Sequence, residues 1–234
     1  MRLRAGSTFL CCHLLIVLVG CESPERSADV SPAEQNEQAP DTPLTPRELN
    51  QRGDQHLRAG RFAEAIADFD VFLAAEPTAE PYHWQRGIAY YYAGQFEQGV
   101  RQFEVHRSVN PNDVENAVWH FLCKAQLDGA DAARAALLPV GPDARVPLMQ
   151  VYAMFEGRTT PAEVARAIDE ASGIEADSAR FYGHLYIGLY HEVMGRAGEA
   201  RRHLAIAAKT RGGSAYMFDI ARLHARRLVD DATK

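Results

Sequence analysis

Between residues 48 and 112 the apolar and small positions run in two matching series. Gly53 is followed by Gly60, Phe62, Ala65, Phe69 and Pro77, and the same offsets 34 residues later carry Gly87, Gly94, Phe96, Gly99, Phe103 and Pro111. Each series predicts a pair of helices, over residues 46–59 and 62–75 and then 81–93 and 96–109. Gly60 and Gly94 fall where the first helix of each pair ends, because glycine takes the left-handed closing conformation without penalty. Pro77 and Pro111 close the second helices, since the residue before a proline is pushed out of the α region. Gly53 and Gly87 fall inside helices, where glycine costs about 1 kcal/mol relative to alanine. That cost predicts a close approach of the next helix, met by the small residues Ala65 and Gly99.

The flanking segments continue the pattern. Thr45-Pro46 with Glu48 reads as a capped start. Asn110-Pro111-Asn112-Asp113 introduces a third pair over 114–127 and 131–138, the first of whose helices carries Trp119, Phe121 and Leu122. Pro139, Gly141, Pro142 and Pro147 then interrupt the pattern, and a degenerate fourth pair is expected over 146–155 and 160–171, its second helix opened by Thr160-Pro161-Ala162-Glu163. After Phe181, Gly188, Gly195, Ala200 and Leu204 return at the spacings of Gly53, Gly60, Ala65 and Phe69. A last helix over 214–229, with Arg222, Arg226 and Arg227 on its exposed side, reads as the polar cap that end repeats need. Helix–turn–helix units repeating every 34 residues resemble the tetratricopeptide repeat. The expected fold is all-α, a tetratricopeptide-repeat (TPR) solenoid of about five helix pairs plus a C-terminal capping helix, spanning residues 45–230 as one domain.

The first 44 residues read differently. Arg2 and Arg4 precede a short apolar run from Phe9 to Val19, too short to span a bilayer as a helix and typical of a secretory signal over 1–20. Leu18-Val19-Gly20-Cys21 resembles the lipobox of bacterial lipoproteins, which implies cleavage before Cys21 and its acylation. More than one acyl chain gives stable anchoring. From 21 to 44 the chain is rich in Ser, Pro, Glu and Gln and is expected to be a disordered tether. The implied location is the bacterial envelope, lipid-anchored with the domain facing the periplasm and the outer membrane favoured.

Composition narrows the chemistry. Formal net charge is −6, with Lys and Arg scattered, which excludes a basic nucleic-acid footprint. Cys123 is the one cysteine within the repeats and lies in an apolar run, as an inert buried thiol would. His191-Glu192 lacks the second histidine of the zinc-protease helix. His56 and His191 stand three residues after a repeat glycine, where the second series has Tyr90, and His83 and His184 stand four before one. All four read as occupants of aromatic packing positions. No catalytic residue, metal ligand or cofactor is expected.

In stacked repeats of this kind the first helix of each pair lines a concave face. Trp84, Ile88, Tyr91 and Tyr92 share one helical face, and Val118, Leu122, Leu185 and Leu189 extend it. These eight are the expected protein-binding groove; alternatively, the same face packs against the chain's own C-terminal helix or irregular middle. The stretches from Arg86 to Gly94, from Asn110 to Asp113 with Trp119, and from Phe181 through Gly188 to Gly195, with a broken middle between, resemble the NlpI-type lipoproteins of Gram-negative bacteria. That resemblance covers residues 49–228 and implies a non-catalytic adaptor docking periplasmic proteases and peptidoglycan hydrolases. It also implies homodimerisation through the N-terminal part, where this chain has about one repeat fewer. Rival expectations are a pilotin-like lipoprotein for pilus or secretin assembly, and an envelope hydrolase, for which no catalytic constellation stands out.

Overall fold

Thr45 opens the helical body as the pattern predicts. Its hydroxyl accepts from the Glu48 amide at 3.3 Å, while the Glu48 carboxylate accepts from the Thr45 amide at 2.8 Å. The structure, a computed structural model, describes residues 43–231. The signal segment over 1–20, Cys21 and all but the last two residues of the tether lie outside the described residues. No helix among the described residues is long and apolar enough to cross a membrane.

The described chain is all-helical, without strands. Its α-helices are α1 (Pro46–Arg58), α2 (Phe62–Ala75), α3 (Trp84–Tyr92), α4 (Phe96–Arg107), α5 (Val114–Asp128), α6 (Ala130–Ala135), α7 (Leu148–Glu156), α8 (Pro161–Glu170), α9 (Ala176–Val193), α10 (Ala197–Ala207) and α11 (Ala215–Asp231). Successive helices pack as adjacent pairs, α1 on α2 through α9 on α10, and α11 packs on α10 and also reaches α1.

Gly60, Gly94 and Gly195 all hold positive φ, between +72° and +78°. Behind each, two backbone hydrogen bonds fold the helix end back on itself; at Gly60 they are Gly60 N–H to the Leu57 carbonyl at 3.0 Å and Arg61 N–H to the His56 carbonyl at 2.9 Å. The mid-helix glycines are compensated by a different contact from the one expected. A Cβ on Gly53 would lie 2.5 Å from Phe69 Cε1, and one on Gly87 would lie 2.7 Å from Phe103 Cε1. On Gly188 it would meet Leu204 Cγ at 2.6 Å. The filler is thus the large residue sixteen positions on, and not Ala65 or Gly99.

Other departures follow from local chemistry. α3 starts at Trp84 and not near 81, because Pro77–Tyr82 forms a 3₁₀ segment and His83 becomes the cap, its Nδ1 accepting from the Arg86 amide at 3.2 Å. α6 is short, and residues 136–147 carry no helix. This connection is nonetheless anchored: Leu137, Leu138 and Val140 pack on the core, and the Pro139 carbonyl accepts from Arg107 Nε at 2.9 Å.

α11 is the largest departure. It packs on α10 at the end of the series, as a closing helix would, but it is not polar all along its outer side. Met217, Ile220, Ala221, Leu223 and His224 form a buried stripe at helical spacing, and that stripe lies against the preceding helices. Arg222 and Arg226 are exposed, but Arg227 turns inward, with its guanidinium 5.0 Å from the Tyr92 ring centroid and 5.4 Å from that of Phe62.

Candidate functional site

The eight expected groove residues do gather on the first helices of their pairs, but they do not line an open groove. Ile88, Tyr91, Tyr92, Val118, Leu122, Leu185 and Leu189 are buried, none more than 9% exposed. Trp84 alone is half-buried. The face is closed from within the chain: α11 meets it at Trp84 and Tyr92, while α7 from the irregular middle packs on α5 and α9. The Tyr216 ring meets Trp84 edge-on at 4.8 Å, and Arg58 lies over the other part of Tyr216 at 4.9 Å from its centroid.

The seat of α11 is polar at one point. Tyr92 Oη lies 2.9 Å from His224 Nδ1, and His224 Nε2 lies 2.5 Å from Glu192 Oε2. A carboxylate only accepts, so Nε2–H donates to Glu192 and Nδ1 accepts from the tyrosine hydroxyl. The order hydroxyl–imidazole–carboxylate resembles a nucleophile with its base. Burial, however, drives the Tyr92 phenol well above its ordinary range, and the group acts as a fixed donor.

Beside Trp84, where α11 begins, a cavity of about 200 Å³ remains. Trp84, Trp119, Tyr182 and Met217 supply its apolar walls, and Asp113, Glu115, Asn116 and Arg145 its polar ones. Arg145, from the non-helical connection, is held by Asp113 at 2.9 Å, Glu115 at 2.5 Å and Asp143 at 2.7 Å. Two of these carboxylates, Asp113 and Glu115, line the cavity together with the guanidinium, while Asp143 lies outside its lining. Burial pushes the Glu115 carboxyl up to about 7 against the pull of Arg145, and the Tyr186 hydroxyl donates to it at 2.5 Å. Two groups on adjacent turns of α5, Trp119 Nε1 and Asn116 Oδ1, are buried without a partner. Such orphans are uncommon in native folds.

The remaining chemistry lies where the sequence pointed to packing. His184 and His191 on α9 face His203 and Glu199 on α10 beside a cleft of about 410 Å³. The visible signal was the spacing: His184 and His191 are seven apart, Glu199 and His203 four apart, each couple on one helical face. Single-helix motifs do not reveal a cluster split between two helices. Cys123 is fully buried, and burial pushes its thiol far up.

No family model matches this chain, and no curated protein is significantly similar to it.

Proposed function

We propose that the protein is a TPR-type lipoprotein of the NlpI kind, anchored at Cys21 to the bacterial envelope with its helical domain in the periplasm, and that it is a non-catalytic adaptor for envelope proteases or peptidoglycan hydrolases. Helix pairs in adjacent packing, glycines capped in register and the lipobox-like Cys21 support the class of protein. The observation that carries the binding role is the aromatic-walled cavity between Trp84, Trp119 and Tyr182, two of whose lining residues, Trp119 and Asn116, carry an indole N–H and an amide oxygen without a partner. An indole donor beside an amide acceptor complements a peptide group, which offers a carbonyl to one and an N–H to the other. Asp113 and Glu115 on the cavity wall, against the single Arg145, favour a neighbouring basic side chain, which would also hold Glu115 ionised. The occupant is therefore an extended, basic segment of a partner envelope protein, docked where α11 leaves the concave face uncovered.

Tethering through lipid raises the effective concentration of such partners without further contacts. Photo-crosslinking from position 84 in cells, followed by mass spectrometry, tests the proposal. Envelope proteases or hydrolases are expected among the adducts, and Trp84→Ala is expected to weaken their binding by about 2 kcal/mol, as truncated interface anchors do. Recovery of no envelope protein, or binding unchanged in Trp84→Ala, would overturn it.

A further inference from the structure

The pairs α1–α2, α3–α4 and α9–α10 share the glycine register, so their equivalent positions can be compared directly. In the first pair, the residue before the glycine is Arg52 and the one fifteen after it is Asp68, joined by hydrogen bonds of 2.8 and 2.6 Å. His56, three after the glycine, lies 3.6 Å from Asp68. The second pair repeats this with Arg86 bonded to Gln102 at 2.8 Å and Tyr90 in the place of His56. In α9–α10 the arrangement is exchanged. Ile187 replaces the arginine, His203 replaces Asp68, His191 takes the third position, and Glu199 replaces Glu64. The arginine that precedes the glycine in the other pairs is absent here, and Arg202 of α10 reaches the polar shell from its exposed side instead. His191 Nδ1 is left buried without a partner.

We propose that His191, His203 and Glu199 form a binding site for a divalent transition cation of the zinc class, with His184 positioning the His203 ring. One ligand atom from each of the three lies within 4.8 Å of the others. Imidazole nitrogen and carboxylate oxygen are the donors such ions take, and in a four-coordinate site with bonds of about 2.0–2.2 Å those donors sit roughly 3.3 Å apart. The Glu199 side chain is 49% exposed and free to close the difference. His203 Nε2 faces Glu199 at 4.0 Å, while its Nδ1 lies 2.8 Å from His184 Nδ1. Two imidazole nitrogens at that distance share one proton. With the proton on His203 Nδ1, donating to His184, the Nε2 lone pair points toward the cation, and His184 fixes tautomer and ring as outer partners of metal-bound histidines do.

Arg202 holds the place of the cation in this structure. Its guanidinium reaches Glu199 Oε2 at 2.6 Å and His203 Nε2 at 2.8 Å, from a side chain that is 59% exposed and can swing into solvent. Arg180, Arg196 and Asp169 are the other charges that act on the cluster. Burial, with these arginines, favours the neutral form of all three rings, which is the form that ligates. The cleft that His191 and His203 line would leave room for water or a partner's side chain as a further ligand.

The test is titration of the metal-free full-length chain with Co²⁺ and then Zn²⁺, followed by calorimetry and visible absorption. One equivalent of Co²⁺ is expected to give the d–d bands of a low-coordinate nitrogen–oxygen site, and Zn²⁺ to displace it. His203→Gln and His191→Tyr install the residues that the second pair carries at these positions, Gln102 and Tyr90, so the fold is retained. Each is expected to weaken binding by about tenfold or more, and His184→Phe to weaken it about tenfold while shifting the bands. Arg202→Gln removes the competing charge and is expected to strengthen binding. Absence of the bands, or binding that persists unchanged in both His203→Gln and His191→Tyr, overturns the site and assigns any uptake to thiols or surface carboxylates. Neither result bears on the adaptor reading, which concerns the cavity beside Trp84.

Discussion

Phe69 and Phe103 each close over a glycine sixteen residues earlier, within one helical pair. In the broken middle, Ile168 closes over Gly183, fifteen residues later and on the next pair, with Pro147 from a third element wedged beside it. The polar contacts divide the same way. Arg52 meets Asp68 inside its own pair, whereas Arg145 reaches back 32 residues to Asp113 and 30 to Glu115, and Tyr186 reaches 71 to the same Glu115. The regular pairs are specified by contacts that recur because both partners belong to one unit. The middle is specified by single contacts between units, and has no need of a repeating pattern.

The comparison can be broken most directly at the notch. Phe103→Ala is expected to cost about 3–5 kcal/mol in urea unfolding, as large core truncations do. Leu138→Ala, in the connection and only part-buried, is expected to cost about 1–2 kcal/mol. Equal losses would mean that the two regions are not held differently.

Next in size is the clamp. Arg145→Met leaves Glu115 and Asp143 without their cation and is expected to cost about 2 kcal/mol, below the range for fully buried pairs because the Arg145 side chain is 41% exposed. Adding Glu115→Gln should return part of that loss, since an amide needs no counter-charge. Independent, additive effects in the double-mutant cycle would refute the clamp.

A smaller effect is predicted at Gly53→Ala. Helix propensity favours it by about 1 kcal/mol, but the new methyl meets the Phe69 ring, and overpacking costs about 1–3 kcal/mol. A net loss of about 1 kcal/mol is expected, and a gain in thermal unfolding midpoint would show that the notch is slack.

The two regions also carry titrations of opposite sign. Glu115 is raised by burial from 4.5 to about 7 in the folded protein, so its contribution is complete below pH 4.5 and is lost as pH climbs to 7. His83, in the regular region, is lowered by burial from 6.5 to about 4, so its contribution is complete above pH 6.5 and is lost as pH falls toward 4. The geometry agrees: His83 Nδ1 must stay unprotonated to accept from the Arg86 amide, while Nε2 bonds Asn50 at 2.8 Å. Unfolding measured from pH 4 to 8 should flatten at its upper end in Glu115→Gln and at its lower end in His83→Asn, whose shorter side chain still caps a helix. Unchanged profiles would contradict both assignments.

Much of the helical plan was legible. The capped starts at Thr45 and Thr160, the closing glycines at 60, 94 and 195 and the return of the register at Gly188 are all local signals, and the helices begin and end close to them. Less was legible at the site. Trp84, Ile88, Tyr91 and Tyr92 were placed on one face correctly, but whether that face met solvent or α11 depended on where residues 215–231 returned. Arg145 stood in a stretch that reads only as a run of helix breakers. The cluster of His184, His191 and His203 was hidden because each histidine, taken alone, occupies an ordinary packing position.

Periodicity and turn chemistry therefore determined, from the amino acids alone, that this chain forms helical pairs, where most of them stop, and which mid-helix glycines need a close neighbour, though not that the neighbour is a large ring. Those properties depend on backbone geometry and on residues at most one pair apart. The packing of α11 on Trp84 and Tyr92, the acidic clamp around Arg145 and the meeting of imidazoles across α9 and α10 were decided only in three dimensions. Each brings together groups that lie far apart in sequence or on different helices, and burial, not spacing, sets what those groups can do.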